Sequence, residues 1–227
     1  MTTQHKISQF GRMVHALEET LIAVILGLMT LITFTNVVLR YGFSSGLSWG
    51  LEVTAYLFAW LVLLGMSYAV KITAHLGVDA IINLLGARTR KVLALVAVIL
   101  CIIYAALLLK GAWDYWANFA NLPQTTGRWW PTGFQENFLG KAWYESEDTP
   151  MPGFLRFMED WLNEGEAYEK LPRLIPYMML PIGAALLLFR FIQAAFRLLE
   201  GTQDSLIVSH EAEDAVAEVA AHRKAGE

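Results

Sequence analysis

Three stretches of this chain, 21–39, 53–70 and 92–109, contain no charged residue at all, and each is long enough to cross a bilayer. About 18–20 apolar residues at ~1.5 Å per residue bridge the ~30 Å hydrocarbon core, where charges and unbonded peptide groups are costly. A fourth run, 174–189, is shorter, but it continues past Arg190 as FIQAAF. An arginine at such a position has a stem long enough to snorkel its guanidinium to the headgroups. The pattern predicts an all-α integral membrane protein with four transmembrane helices, at about 17–40, 51–71, 91–113 and 173–197. Composition agrees: 56% of residues are hydrophobic and only 17% charged, against about 45–50% and 25% in soluble domains.

Orientation follows from the lysines and arginines in the short flanks. The tail 1–16 carries Lys6 and Arg12, whereas the hairpin after the first span has only Arg40. The second connection holds Lys71, Arg88, Arg90 and Lys91, and the fourth span ends with Arg190 and Arg197. Basic and poor flanks alternate, which predicts both termini (1–16 and 201–227) and the second connection in the cytoplasm. The hairpin around Gly46 and the long third connection then face the other side. The first apolar run is too long for the core of a cleaved leader, and no small-residue cleavage pattern follows it, so it reads as a retained span.

The connections have their own patterns. In the second, Val78, Ile81, Ile82 and Leu85 repeat at helical spacing with Asp79 and Asn83 on another face. That predicts an amphipathic helix in the headgroup plane. The third connection, 113–173, holds ten acids against five bases and six of the eight tryptophans. Indoles favour the membrane–water boundary, so this excursion is expected to hug the bilayer. Within it Phe154, Phe157, Met158, Trp161 and Leu162 form a second helical stripe, opened by Pro152 and closed near Gly165. The tail 201–227 is polar and acidic.

Chemistry is sparse. The spans carry almost no ionisable group at mid-depth, where carriers of ions or electrons usually place one. No paired histidines suit a haem, and no HExxH, phosphate loop or GxSxG occurs in a fitting context. Cys101 stands alone inside the third run, so it forms no intrachain disulfide. The lack of a basic cluster argues against nucleic acid. No catalytic residue, metal or cofactor is expected. The conspicuous polar residues lie at span edges. Arg40 and Glu52, joined by the hairpin, are placed either to pair or to anchor separately. Asn36, one turn before Arg40, is placed to bond a neighbouring helix. His75 and Asp79, four residues apart, suit a mutual hydrogen bond better than a proton relay. Pro176 and Pro181 predict a kink in the fourth span, since neighbours can satisfy freed carbonyls.

NVVLRY, the tryptophan and acid of SWGLE, FAWLVLLGMSYAV, HLGVD and PYMMLPIGAALLLFR, in this order, resemble the small membrane subunit of tripartite ATP-independent periplasmic (TRAP) transporters. The likeness covers about 15–125 and 172–200. Asn36, Arg40, Trp49, Glu52, His75, Asp79, Pro176 and Pro181 match the family's recurrent polar and proline positions. Leu51 and Ala74 stand where relatives often have acids, and 127–170 reads as an insertion in the membrane domain 17–200.

The resemblance implies a non-catalytic scaffold in the bacterial inner membrane. It implies partnership with a large multi-span TRAP subunit carrying the substrate and sodium sites, with a periplasmic solute-binding protein, and with membrane lipid. The insertion-bearing form looks most like the C4-dicarboxylate branch. The eight matching residues are then candidates for structural or partner contact, and the insertion is expected to brace the complex or offer docking surface to the binding protein. Two rivals are a membrane anchor for a redox complex and a small self-sufficient channel or carrier.

Overall fold

The computed structural model describes residues 9–71, 87–125, 127–130 and 144–200. His75, Asp79 and the amphipathic stretch 78–85 lie outside the described residues, as do 1–8 and 201–227. Helix α1 is Gln9–Gly42, α2 Gly50–Lys71 and α3 Ala87–Ala117. After strand β1 (Glu145–Pro150), a 3₁₀ helix (Gly153–Met158), α4 (Glu159–Leu162) and β2 (Lys170–Pro172) come α5 (Leu174–Tyr177) and α6 (Met179–Leu199). Four stretches are long and apolar enough to span a membrane: Ala16–Gly42, Gly50–Lys71, Lys91–Ala117 and Leu174–Leu199. The all-α membrane class is therefore as read from the sequence, with one addition, the short antiparallel β1–β2 sheet in the excursion.

Each span ends for a local reason. At the end of α1, Ser44 takes a positive φ of 51° and the Ser45 amide returns to the Leu39 carbonyl at 3.0 Å. Helix α2 starts as the Trp49 carbonyl accepts from Val53, and it carries Glu52 in its first turn and Lys71 in its last. Those charges complement the helix dipole at both ends. The third span runs past the predicted 113 to Ala117 because Asp114 is absorbed locally. Its carboxylate takes Lys110 Nζ at 3.0 Å, the Thr125 amide at 2.6 Å and the Thr125 hydroxyl, while its carbonyl accepts from Gln124 and Asn118. The turn after α3 thus folds back on the helix end, with Asn121 in the left-handed region.

The described residues pack as two compact units, one within 1–65 and 107–185 and the other within 66–106 and 186–227. In the first, α2 and α6 meet at Gly183, where a Cβ would fall 2.7 Å from the Leu63 Cβ. Only a glycine permits that approach, as is common where membrane helices pack closely. The helix assignment of the fourth span is interrupted between its prolines: α5 ends at Tyr177 and α6 begins at Met179. The helical path continues through Met178, whose amide reaches the Leu174 carbonyl at 3.1 Å. Neighbouring indoles add donors there, Trp116 Nε1 to Leu174 O at 3.0 Å and Trp60 Nε1 to Pro176 O at 2.8 Å.

In the second unit, Val98 and Ala194 are buried together, with Ile102 and Ala195 against them. Arg190 corrects the expectation that it snorkels. It is 6% exposed, its Nη1 donates to Gln193 Oε1 at 2.9 Å, and its guanidinium lies 5.9 Å from the Phe189 ring centre. Packing within the protein holds the group that a lone helix in lipid would send to the surface.

Candidate site at the head of the second span

Glu52 organises the described excursion. Its Oε1 accepts from the Glu147 amide at 2.8 Å and the Tyr56 hydroxyl at 2.7 Å. Its Oε2 accepts from the amides of Asp148 (2.9 Å) and Thr149 (2.8 Å) and from the Thr149 hydroxyl (2.6 Å). Three successive amides converge on one carboxylate, an arrangement that binds anions through the backbone alone. Strand β1 can offer them because its register against β2 is interrupted: Glu145 faces Pro172 and Pro150 faces Lys170, with an irregularity between. Charge-assisted bonds of this kind are about twice as strong as neutral ones, which offsets the nearness of the Glu147 and Asp148 carboxylates.

The sequence reading left Glu52 with Arg40 or with no partner. Instead, backbone groups about a hundred residues away hold its carboxylate, and Arg40 is exposed, with no ion pair to Glu52 among the described residues. Asn36 likewise bonds something other than a helix. Its Oδ1 accepts the Leu47 amide at 3.0 Å and so closes the hairpin between the first two spans. Gly46 and Gly50 pass close by, with Asn36 side-chain atoms 3.5 and 3.8 Å from where their Cβ atoms would be. Trp49 is half-buried. The structure thus gathers Asn36, Trp49 and Glu52 at the hairpin end, whereas Pro176 and Pro181 lie on the fourth span, on either side of the break between α5 and α6.

Several residues missed by the sequence reading complete the site. Tyr56 meets the Tyr177 ring edge-on at 6.2 Å, and Tyr177 is also packed by Phe119 (5.1 Å) and Tyr115 (5.6 Å). Arg173, just before the fourth span, donates from Nε to the Glu145 carbonyl at 2.8 Å, and its backbone amide bonds Tyr144 O. Lys170 Nζ donates to the Glu147 carbonyl. Beneath the strands Met151, Tyr168 and Leu171 form a small core. The Tyr168 phenol is pushed up to about 12, first by burial and then by the Glu145 and Glu159 charges, so it stays neutral at physiological pH. Tyr115 and Phe119, four residues apart, and Tyr56, four residues after Glu52, were the available signal; the strand amides leave none.

This geometry defines a multi-pass membrane protein whose edge carboxylates, Glu52 and Asp114, are consumed by its own backbone and side chains. Comparison with known proteins says which kind. Residues 29–135 match the family model described as "Tripartite ATP-independent periplasmic transporters, DctQ component". A Vibrio cholerae protein named C4-dicarboxylate TRAP transporter small permease protein DctQ is 47% identical, over 93% of this chain and 83% of that protein. The Pseudomonas aeruginosa protein of the same name is 28% identical, over 88% of this chain and 90% of its own length. A Haemophilus influenzae putative TRAP transporter small permease is 36% identical over 48% of this chain and 68% of that protein. The chain belongs to the DctQ family of TRAP transporter small membrane subunits, and is a subunit of a transporter.

Proposed function

We propose that this chain is the non-catalytic scaffold of a sodium-coupled importer of organic anions. It pairs with a large multi-span membrane subunit that carries the transport sites and receives substrate from a periplasmic binding protein. C4-dicarboxylates are the substrate class favoured by the names of its Vibrio and Pseudomonas relatives. The observation that carries the scaffold reading is the state of Glu52 and Asp114. A carboxylate that ligates sodium needs oxygens with free lone pairs, and these two are saturated by internal donors. Arg40, exposed at the end of the first span, and half-buried Trp49 in the hairpin are the residues we assign to contact with the large subunit. His75 and Asp79, matching family positions in the second connection, take the same role on the opposite side of the membrane. The excursion braces the assembly through Glu52.

The flanking charges support an orientation with both termini in the cytoplasm. Cells co-expressing a tagged chain with the large subunit test both points. Ser45→Cys and Glu147→Cys should react with an impermeant thiol reagent from the periplasmic side, Arg90→Cys should not, and the large subunit should co-purify in fixed ratio. Labelling at Arg90→Cys with none at Ser45→Cys would overturn the orientation, and a chain that purifies alone would overturn the pairing.

A further inference from the structure

The 3₁₀ helix Gly153–Met158 repeats every three residues, so residues three apart eclipse one another. Leu155 packs on the Met151–Tyr168–Leu171 core, whereas Phe154 and Phe157 share another side and are 78% and 60% exposed. Two phenylalanines on one face of a small subdomain are unusual in water, and such patches mark contact surfaces.

Charge and position indicate what covers this one. The segment 149–158 contains no acid and carries Arg156, which is exposed and pairs with Glu159 at 3.8 Å. The subdomain is also tied to the mouths of two spans. Glu52, in the first turn of α2, holds β1, and β2 ends at Pro172, two residues before the fourth span begins at Leu174. A face so tethered is within reach of the headgroup region, where aromatic rings and arginine are at home. Trp129 and Trp130, both largely exposed just beyond the turn that caps α3, supply the same chemistry.

We infer that Phe154 and Phe157 seat this subdomain in the headgroup region of the bilayer, with Arg156 toward lipid phosphate, so that the occupant of the face is lipid. The inference rests on the spans crossing the membrane. A lipid seat suits the acid-free segment 149–158, and it gives the Glu52 tie a second point of support.

The test uses the full chain with Cys101→Ser, carrying Phe154→Cys, Phe157→Cys or Glu166→Cys, each labelled with a small fluorophore. The protein is placed in nanodiscs of phosphatidylethanolamine and phosphatidylglycerol. Nitroxide attached near the lipid headgroup should remove most of the fluorescence at 154 and 157 and little at 166, while aqueous iodide should do the reverse. Iodide quenching at 154 and 157 equal to that at 166, without lipid quenching, would overturn the inference. So would protection that arises only when a binding protein or the large subunit is added, since the face would then be a protein-docking surface. Slow amide exchange at 147–149 certifies that each variant is folded, and Phe157→Cys stands in if Phe154→Cys is not. Failure of the chain to enter nanodiscs at all would contradict the membrane-spanning reading itself.

Discussion

Glu52→Ala frees strand β1 from the second span while leaving all four spans inserted. The carboxylate accepts five bonds, four of them from Glu147, Asp148 and Thr149. A hydrogen bond to a charged group contributes about 1.5–3 kcal/mol, but several of these donors are open to water, so a combined loss of about 2–4 kcal/mol is expected. At a factor of ten per ~1.4 kcal/mol, amide exchange at 147–149 should accelerate on the order of 30- to 1000-fold in the protein in lipid. Glu52→Gln should come close to the alanine effect, since its amide turns an N–H toward strand amides that need an acceptor. Arg40→Ala should leave exchange at these positions unchanged. Unaltered protection in Glu52→Ala, or equal loss in Arg40→Ala, would contradict the clasp.

Gly183→Ala is the second substitution with a large expected effect. The added methyl carbon would lie 2.7 Å from Leu63 Cβ and 3.3 Å from two further Leu63 carbons, so the helices must separate. Overpacking of this order costs about 1–3 kcal/mol. Leu63→Ala does not relieve it, because alanine keeps the Cβ that collides, whereas Leu63→Gly removes it. Thermal unfolding of the purified chain should therefore show Gly183→Ala as strongly destabilising alone and much less so in the Leu63→Gly background. Additive losses in that cycle would place the close approach elsewhere.

The four spans were legible because a charge-free run of that length has few other uses, and their edges shifted by no more than a few residues. The largest shift, from 113 to Ala117, came from reading Asp114 as already outside the helix. Its carboxylate is neutralised one turn back by Lys110, so the acid sits within the helix end. The partners of Glu52 were not legible, since backbone amides have no sequence signature and their strand lies far along the chain. Arg190 followed the same logic in reverse: its burial depends on packing that no single helix reveals. In the excursion the Phe154–Leu162 stripe predicted one helix. The chain instead forms a 3₁₀ helix to Met158, where the Glu159 amide bonds Arg156 O, and then one α turn. The stripe already set Phe154 and Phe157 apart from Leu155; what it did not show is that Leu155, and not the stripe, faces the small core, leaving the two phenylalanines exposed.

The most direct measurement of the central claim is uptake of labelled succinate into sodium-gradient-driven proteoliposomes built from every combination of this chain, its large subunit and the binding protein. The scaffold account predicts no flux from this chain alone, with or without binding protein. It predicts sodium-dependent uptake when all three are present, and loss of that uptake when this chain is left out. Flux through this chain by itself, or full uptake without it, would contradict the account.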